Sequence, residues 1–266
     1  MPFDAPFREL VAANAPLWAG EAEIIRTYWD WPERSRESDL LWLARQCHKE
    51  FWGGGDAQRR GLFAWPLAEL SAAFDKIDRG VPRREVLAMA ALLHEEFAHY
   101  CVLADVYDLL KTADEPGLDP HGIKHRSWPE NDDLRALRTA QREQHGEIGR
   151  RAHLFTEDGY CALFREGMKL GGRGGVDDAI AAACAEIHDE EFDHMMSGVA
   201  GLASGAISAD DLSLLAELIT AQMRQRIHMR NGQFGYPVGE ARLAEILAGD
   251  IEPVAFDYEK AETLLQ

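Results

Sequence analysis

Apolar residues recur along this chain at alternating steps of three and four, and no segment alternates apolar with polar over the length of a strand. The pattern predicts helix almost throughout and no sheet. One helix is expected over about 38–51, stopping at Gly53-Gly54-Gly55, and a second from somewhere between 56 and 66 to Arg79-Gly80. After the Val81-Pro82 turn a third runs to about Leu110. Residues 112–129 are rich in Pro, Gly and Asp and predict a long crossover loop. A long polar helix is expected from about Asp132 to Leu170, bent near Gly159. The glycine-rich turn 171–175 follows, and Asp177 or Asp178 caps the next helix. Ser208 opens a fifth, reaching about Arg230, and the tail beyond Asn231 reads as loop, a short helix near 240–248 and an extended end.

Within that pattern one phrase occurs twice: Glu95-Glu96-Phe97-Ala98-His99 in the third helix and Glu190-Glu191-Phe192-Asp193-His194 in the helix after the glycine turn. Residues three apart share a helix face, so Glu96 with His99, and Glu191 with His194, each offer an oxygen and a nitrogen toward one point. No other Glu-x-x-His occurs. Both pairs interrupt apolar stripes. The first runs Met89, Leu92, Glu96, His99, Leu103, Val106, and the second Ile180, Cys184, Ile187, Glu191, His194, Gly198. The neighbouring stripe Glu186, Glu190, Asp193, Ser197 is polar, so Glu191 is expected to point inward and Glu190 outward. Residues 86–93 are apolar nearly all round, and there the choice of Glu96 over Glu95 follows the second motif. Carboxylates on a buried stripe are costly unless paired or bound to a cation. Oxygen and imidazole donors suit iron or manganese better than the thiolate sets of structural zinc. A zincin motif is excluded, because His94 and His99 are five apart rather than four.

The 266 residues read most simply as one domain. A formal net charge of −18 argues against a nucleic-acid partner and an anionic membrane surface. No uninterrupted apolar run approaches the roughly eighteen residues of a membrane span, and the first residues do not resemble a secretion signal, so a cytoplasmic protein is expected. Cys47, Cys101, Cys161 and Cys184 are scattered singly and read as reduced core residues.

Two helical hairpins joined by one long crossover, carrying paired Glu-x-x-His motifs, resemble the ferritin-like di-iron carboxylate superfamily, which includes rubrerythrins, ribonucleotide reductase small subunits, demethoxyubiquinone hydroxylases and aldehyde decarbonylases. The resemblance spans about 59–205. It implies an all-α fold, a ferritin-like four-helix bundle, flanked by a Trp-rich helical extension over 1–58 and by a fifth helix and tail over 206–266. It further implies two iron ions, with manganese or a mixed Mn/Fe pair as the alternative. Each partner helix would supply one more Glu. Counting from the glycine turn puts Glu157 nearest the level of Glu191, with His153 one turn before it. In the first hairpin the acid nearest the level of Glu96 is Glu69, with Glu50 as fallback if the Trp-rich helix is the first of the bundle. His188, three residues before Glu191, is a further candidate ligand.

Bound by such residues, a di-iron pair passes electrons to dioxygen, and the resemblance implies an oxidase or monooxygenase. It would act on O2 and a small organic substrate, be supplied by an electron donor or reductase, and could be a homodimer. The Trp-rich segment, the cluster Arg224, Arg226, His228, Arg230 and the aromatics Phe234, Tyr236, Phe256 and Tyr258 exceed what iron storage requires. A ferroxidase and a metal-free helical binding scaffold are the alternatives.

Overall fold

The structure is a computed structural model, and it describes residues 5–53, 60–199 and 208–264. Among these the fold is all-helical. In chain order the helices are α1 (Ala5–Trp29), α2 (Arg36–Trp52), α3 (Gly61–Ala64), α4 (Leu67–Phe74), α5 (Arg83–Leu110), α6 (Pro129–His145), α7 (Glu147–Thr156), α8 (Ala162–Met168), α9 (Gly175–Val199), α10 (Ala209–Gln233), α11 (Glu240–Ala248) and α12 (Tyr258–Leu264). A 3-10 turn over Gly122–His125 interrupts the expected crossover loop.

The chain divides into two compact units, Ser35–Ser127 and Met1–Arg34 with Trp128–Gln266. Neither coincides with the bundle expected over 59–205. In the smaller unit α5 packs on α2, α3 and α4. Ser35 caps α2 through a reciprocal capping box with Ser38. The single helix expected between 56 and 79 is two short ones, because Pro66 separates α3 from α4 and cannot donate the hydrogen bond that would join them. α5 is the one helix among the described residues long and apolar enough, by length and composition, to cross a membrane. Only 22% of that apolar window is buried, and Leu87, Phe97 and Leu109 are exposed.

In the larger unit α10 packs on α1, α6 and α7, while α9 packs on α7 and α8. α1 is a helix of 25 residues in the part of the Trp-rich helical extension for which the sequence reading gave no helix bounds. Pro16 inside it, and the buried polar residues Asn14 and Glu21 on it, break the apolar rhythm that would have announced it. The expected polar helix over 132–170 is three helices. Gly146, at φ 54°, separates α6 from α7, and residues 157–161 separate α7 from α8. Gly159, Tyr160 and Cys161 are consecutive left-handed residues, at φ 54°, 58° and 52°. A non-glycine residue there costs about 1–2 kcal/mol, so the surrounding contacts must hold the turn. The end expected to be extended carries α12.

Candidate metal centre

α2 and α5 run in opposite directions. Arg36, opening α2, donates to the Leu110 carbonyl closing α5 at 3.2 Å, and Cys47 Sγ lies 4.0 Å from the Tyr100 carbonyl. Continuing that register one turn brings Glu50 level with the first motif. Ligand atoms of Glu50, Glu96 and His99 lie within 4.8 Å of one another. Glu50 and His99 are buried and Glu96 is partly so. Gln46, one turn before Glu50, donates its Nε2 to Glu50 Oε1. Three contacts of the crossover loop brace the pair of helices: Tyr100 Oη donates to the Leu118 carbonyl at 2.7 Å, Trp52 Nε1 to the Pro120 carbonyl at 2.7 Å, and His48 Nδ1 meets the Ile123 carbonyl at 2.9 Å. Burial pushes the Tyr100 phenol up to about 12, and it pushes the Cys47 thiol well up with the Glu50 charge adding to it, so both stay protonated beside the cluster.

Two carboxylates and one imidazole, with no thiolate, make a donor set for Fe²⁺ or Mn²⁺, and three protein ligands leave coordination positions open. The three residues present therefore fit a divalent metal. The first-hairpin carboxylate in this cluster is Glu50. Glu69, the residue expected from helix counting, stands on α4 outside it. The count failed because it assumed one unbroken helix to Arg79, whereas the helix that pairs with α5 through this level is α2.

The second motif lies on α9, in the other unit. Glu191 is buried and Glu190 exposed, as the stripes predict. His194 Nδ1 lies 3.6 Å from Glu191 Oε2. His153 Nε2 on α7 lies 3.8 Å from Glu157 Oε1. Burial, then the charges of Arg138 and Arg142, hold the His153 imidazole well below its usual range and hence neutral, the form that ligates metal. His188 Nδ1 instead meets the neighbouring Asp189 carboxylate at 3.0 Å. Burial lowers its pKa as well, against the opposing effect of Asp189.

Two glycine contacts fix how α9 lies along this hairpin. A Cβ on Gly167 would fall 2.3 Å from Cys184 Sγ, and one on Gly198 would fall 2.6 Å from the Phe155 nitrogen. Between these contacts the left-handed turn also reaches α9, where the Tyr160 and Phe192 ring centroids lie 6.0 Å apart. Asp158, buried and 3.7 Å from Arg226, was not singled out by the sequence reading. Its signal would have been that it adjoins Glu157 at a helix-breaking glycine. No family model, curated protein or solved structure matches the chain.

Proposed function

We propose that this protein is a non-haem di-iron oxidase or oxygenase, with manganese or a Mn/Fe pair as variants, that uses O2 on a small organic substrate. The observation that carries the reading is the cluster of Glu50 from one helix with Glu96 and His99 from its neighbour. One helix giving Glu and its partner giving Glu-x-x-His is the half-site unit of ferritin-like di-metal bundles, and the exact Glu-Glu-Phe-x-His phrase returns on α9. The ferritin-like fold is part of this proposal and rests on those motifs and on the long crossover.

In this reading Glu50, Glu96 and His99 would hold one ion, and Glu191 and His194 would contribute to a second, with Glu157 and His153 as the further candidate ligands. The bound metals supply electrons to dioxygen and activate it. The chain's own contribution is to bring the Glu50 carboxylate to Glu96 and His99, to keep His153 neutral, and to hold Tyr100 and Cys47 protonated next to the metal ligands. Such chemistry would call for an external electron donor or reductase as partner.

The test is metal content of protein grown with iron and manganese, compared with His99→Ala and His194→Ala. Oxygen consumption with a reductant across small organic substrates is followed in parallel. About two ions in the wild type, one lost in each variant, together with substrate-dependent oxygen uptake support the reading. Oxygen uptake driven by Fe²⁺ alone would make the protein a ferroxidase, and absence of metal would leave a helical scaffold.

A further inference from the structure

The cluster of Glu50, Glu96 and His99 has a neighbour to which the proposed chemistry assigns no role. Gln46 lies on α2 one turn before Glu50 and is fully buried. Burying an amide costs free energy unless its hydrogen bonds are made, so a glutamine at such a position calls for a partner. Leu43, Ala44 and Cys47 beside it on the helix are buried and apolar, and a leucine at 46 would continue their packing. Gln46 Nε2 instead donates to Glu50 Oε1. The acceptor fixes the sense of this bond, because an ionised carboxylate oxygen only accepts and the group facing it must be the amide nitrogen.

The rest of α2 keeps Gln46 on that side. Residues four apart share a helix face and residues two apart lie about 200° round it, so Gln46 and Glu50 face one way and His48 and Trp52 the other. On that opposite face His48 Nδ1 meets the Ile123 carbonyl at 2.9 Å and Trp52 Nε1 donates to the Pro120 carbonyl at 2.7 Å. Lys124 Nζ lies 5.0 Å from the centre of the Trp52 ring. At the start of the helix, the Ser35 capping box and the bonds of Arg36 to the Leu110 carbonyl and to Glu115 hold it in place. α2 therefore cannot turn about its axis without breaking these contacts, and the bond from Gln46 acts on the carboxylate itself. A charge-assisted bond to one oxygen restrains rotation of the carboxylate plane and directs the other oxygen away from the amide. Glu50 offers a ligand atom within 4.8 Å of those of Glu96 and His99.

We propose that Gln46 is a positioning residue for the metal ligand Glu50: its amide holds one carboxylate oxygen so that the other is presented to the ion shared with Glu96 and His99. This rests on the reading of those three residues as a metal site. Removing a group that hydrogen-bonds a ligand from behind weakens metal binding by about 10–100-fold. Gln46→Met keeps the length of the side chain and its helix propensity and removes the donor.

The experiment titrates the full-length protein, stripped of metal, with Mn²⁺ alone by calorimetry, and records the electron paramagnetic resonance spectrum of the bound ion at saturation. Wild type, Gln46→Met and His99→Ala are compared well below their melting temperatures, with helicity checked by circular dichroism. The expected result is that Gln46→Met keeps wild-type helicity, binds the ion that His99→Ala loses about 10–100-fold more weakly, and gives an altered spectrum when loaded. Wild-type affinity in Gln46→Met would overturn the proposal. Weaker binding with an unchanged spectrum would overturn it too, since Gln46 would then be a packing residue only. If Gln46→Met does not fold, Gln46→Asn, whose amide is one methylene too short to reach Glu50 in the same way, carries the same expectation and the same refutation. A His99→Ala protein that binds as much manganese as the wild type would instead sink the metal reading itself, whatever Gln46→Met does.

Discussion

The Glu50 carboxylate and the His99 imidazole, on two different helices, bring their ligand atoms within 4.8 Å of each other in the interior of the smaller unit. Burying an ionisable carboxylate there is expensive, of the order of several kcal/mol per ion, unless a cation or strong donors compensate. Gln46 supplies one such donor, and a bound cation would add to it.

Replacing Glu50 should therefore separate the two candidate carboxylates of this hairpin. Glu50→Ala is expected to lower Mn²⁺ affinity at the Glu96 and His99 site at least about tenfold, while Glu69→Ala leaves it within a factor of two. Titration calorimetry with Mn²⁺ decides between them, and the reverse ranking would return the site to α4.

Metal should also stabilise the fold by mass action. At a free Mn²⁺ concentration about a hundredfold above Kd, one site contributes about 2.7 kcal/mol. For a chain of this size that is a rise in Tm of roughly 5–10 °C. The shift should shrink in Glu96→Gln, and differential scanning fluorimetry with and without chelator measures it. An equal shift in the variant would show that the stabilising ion binds elsewhere.

The contact between Arg36 and Glu115 makes a prediction in pH. Two Arg36 nitrogens donate to the Glu115 carboxylate at 2.6 and 3.0 Å, and the Thr112 amide donates to it at 2.7 Å. These bonds, Arg36 first, hold the Glu115 carboxyl down at about 2 against an ordinary value of 4.5. In the unfolded chain the group takes up its proton near the ordinary value, while the folded one resists. The contribution is thus complete above about 4.5 and disappears as pH falls toward 2. Urea midpoints measured across this window should fall less steeply in Arg36→Ala than in the wild type, and carboxyl NMR should show one glutamate titrating near 2. Parallel curves for the two proteins would contradict the assignment.

Close approach of α9 to α7 predicts a steric result. A methyl at Gly198 would sit 2.6 Å from the Phe155 nitrogen and 3.0 Å from the Arg151 carbonyl, backbone atoms that cannot step aside. Gly198→Ala should cost about 1–3 kcal/mol of stability. Gly239→Ala, at φ −73° with nothing within 4 Å, should be close to neutral. Denaturant midpoints of the two variants test the contrast.

Much of this arrangement was legible in the residues themselves. The three-and-four rhythm located α2, α5, α9, α10 and α11 to within a few residues, because each buries one face and shows its period. The same rhythm told Glu191 from Glu190, since an inward stripe and an outward one differ in polarity along α9. The residues that escaped are those whose role depends on a partner far along the chain. α1 carries Asn14, Pro16 and Glu21, which interrupt its apolar pattern, and it packs on α10 with Glu21 against Arg226 and Arg230. The break after α7 was expected only as a bend, since a left-handed conformation at Tyr160 and Cys161 has no local signature and is held by Arg226, Arg138 and the 255–257 backbone.

By itself the sequence determined the helical class, the two Glu-x-x-His pairs and the inward face of the second, because those follow from the 3.6-residue period acting within one helix. Only tertiary structure decided that Glu50 rather than Glu69 joins Glu96 and His99, and that Glu157 stands at a helix end gripped by Arg226. Such choices depend on which helices lie side by side and in what register, and that is set by packing between segments distant in the chain, which no local period records.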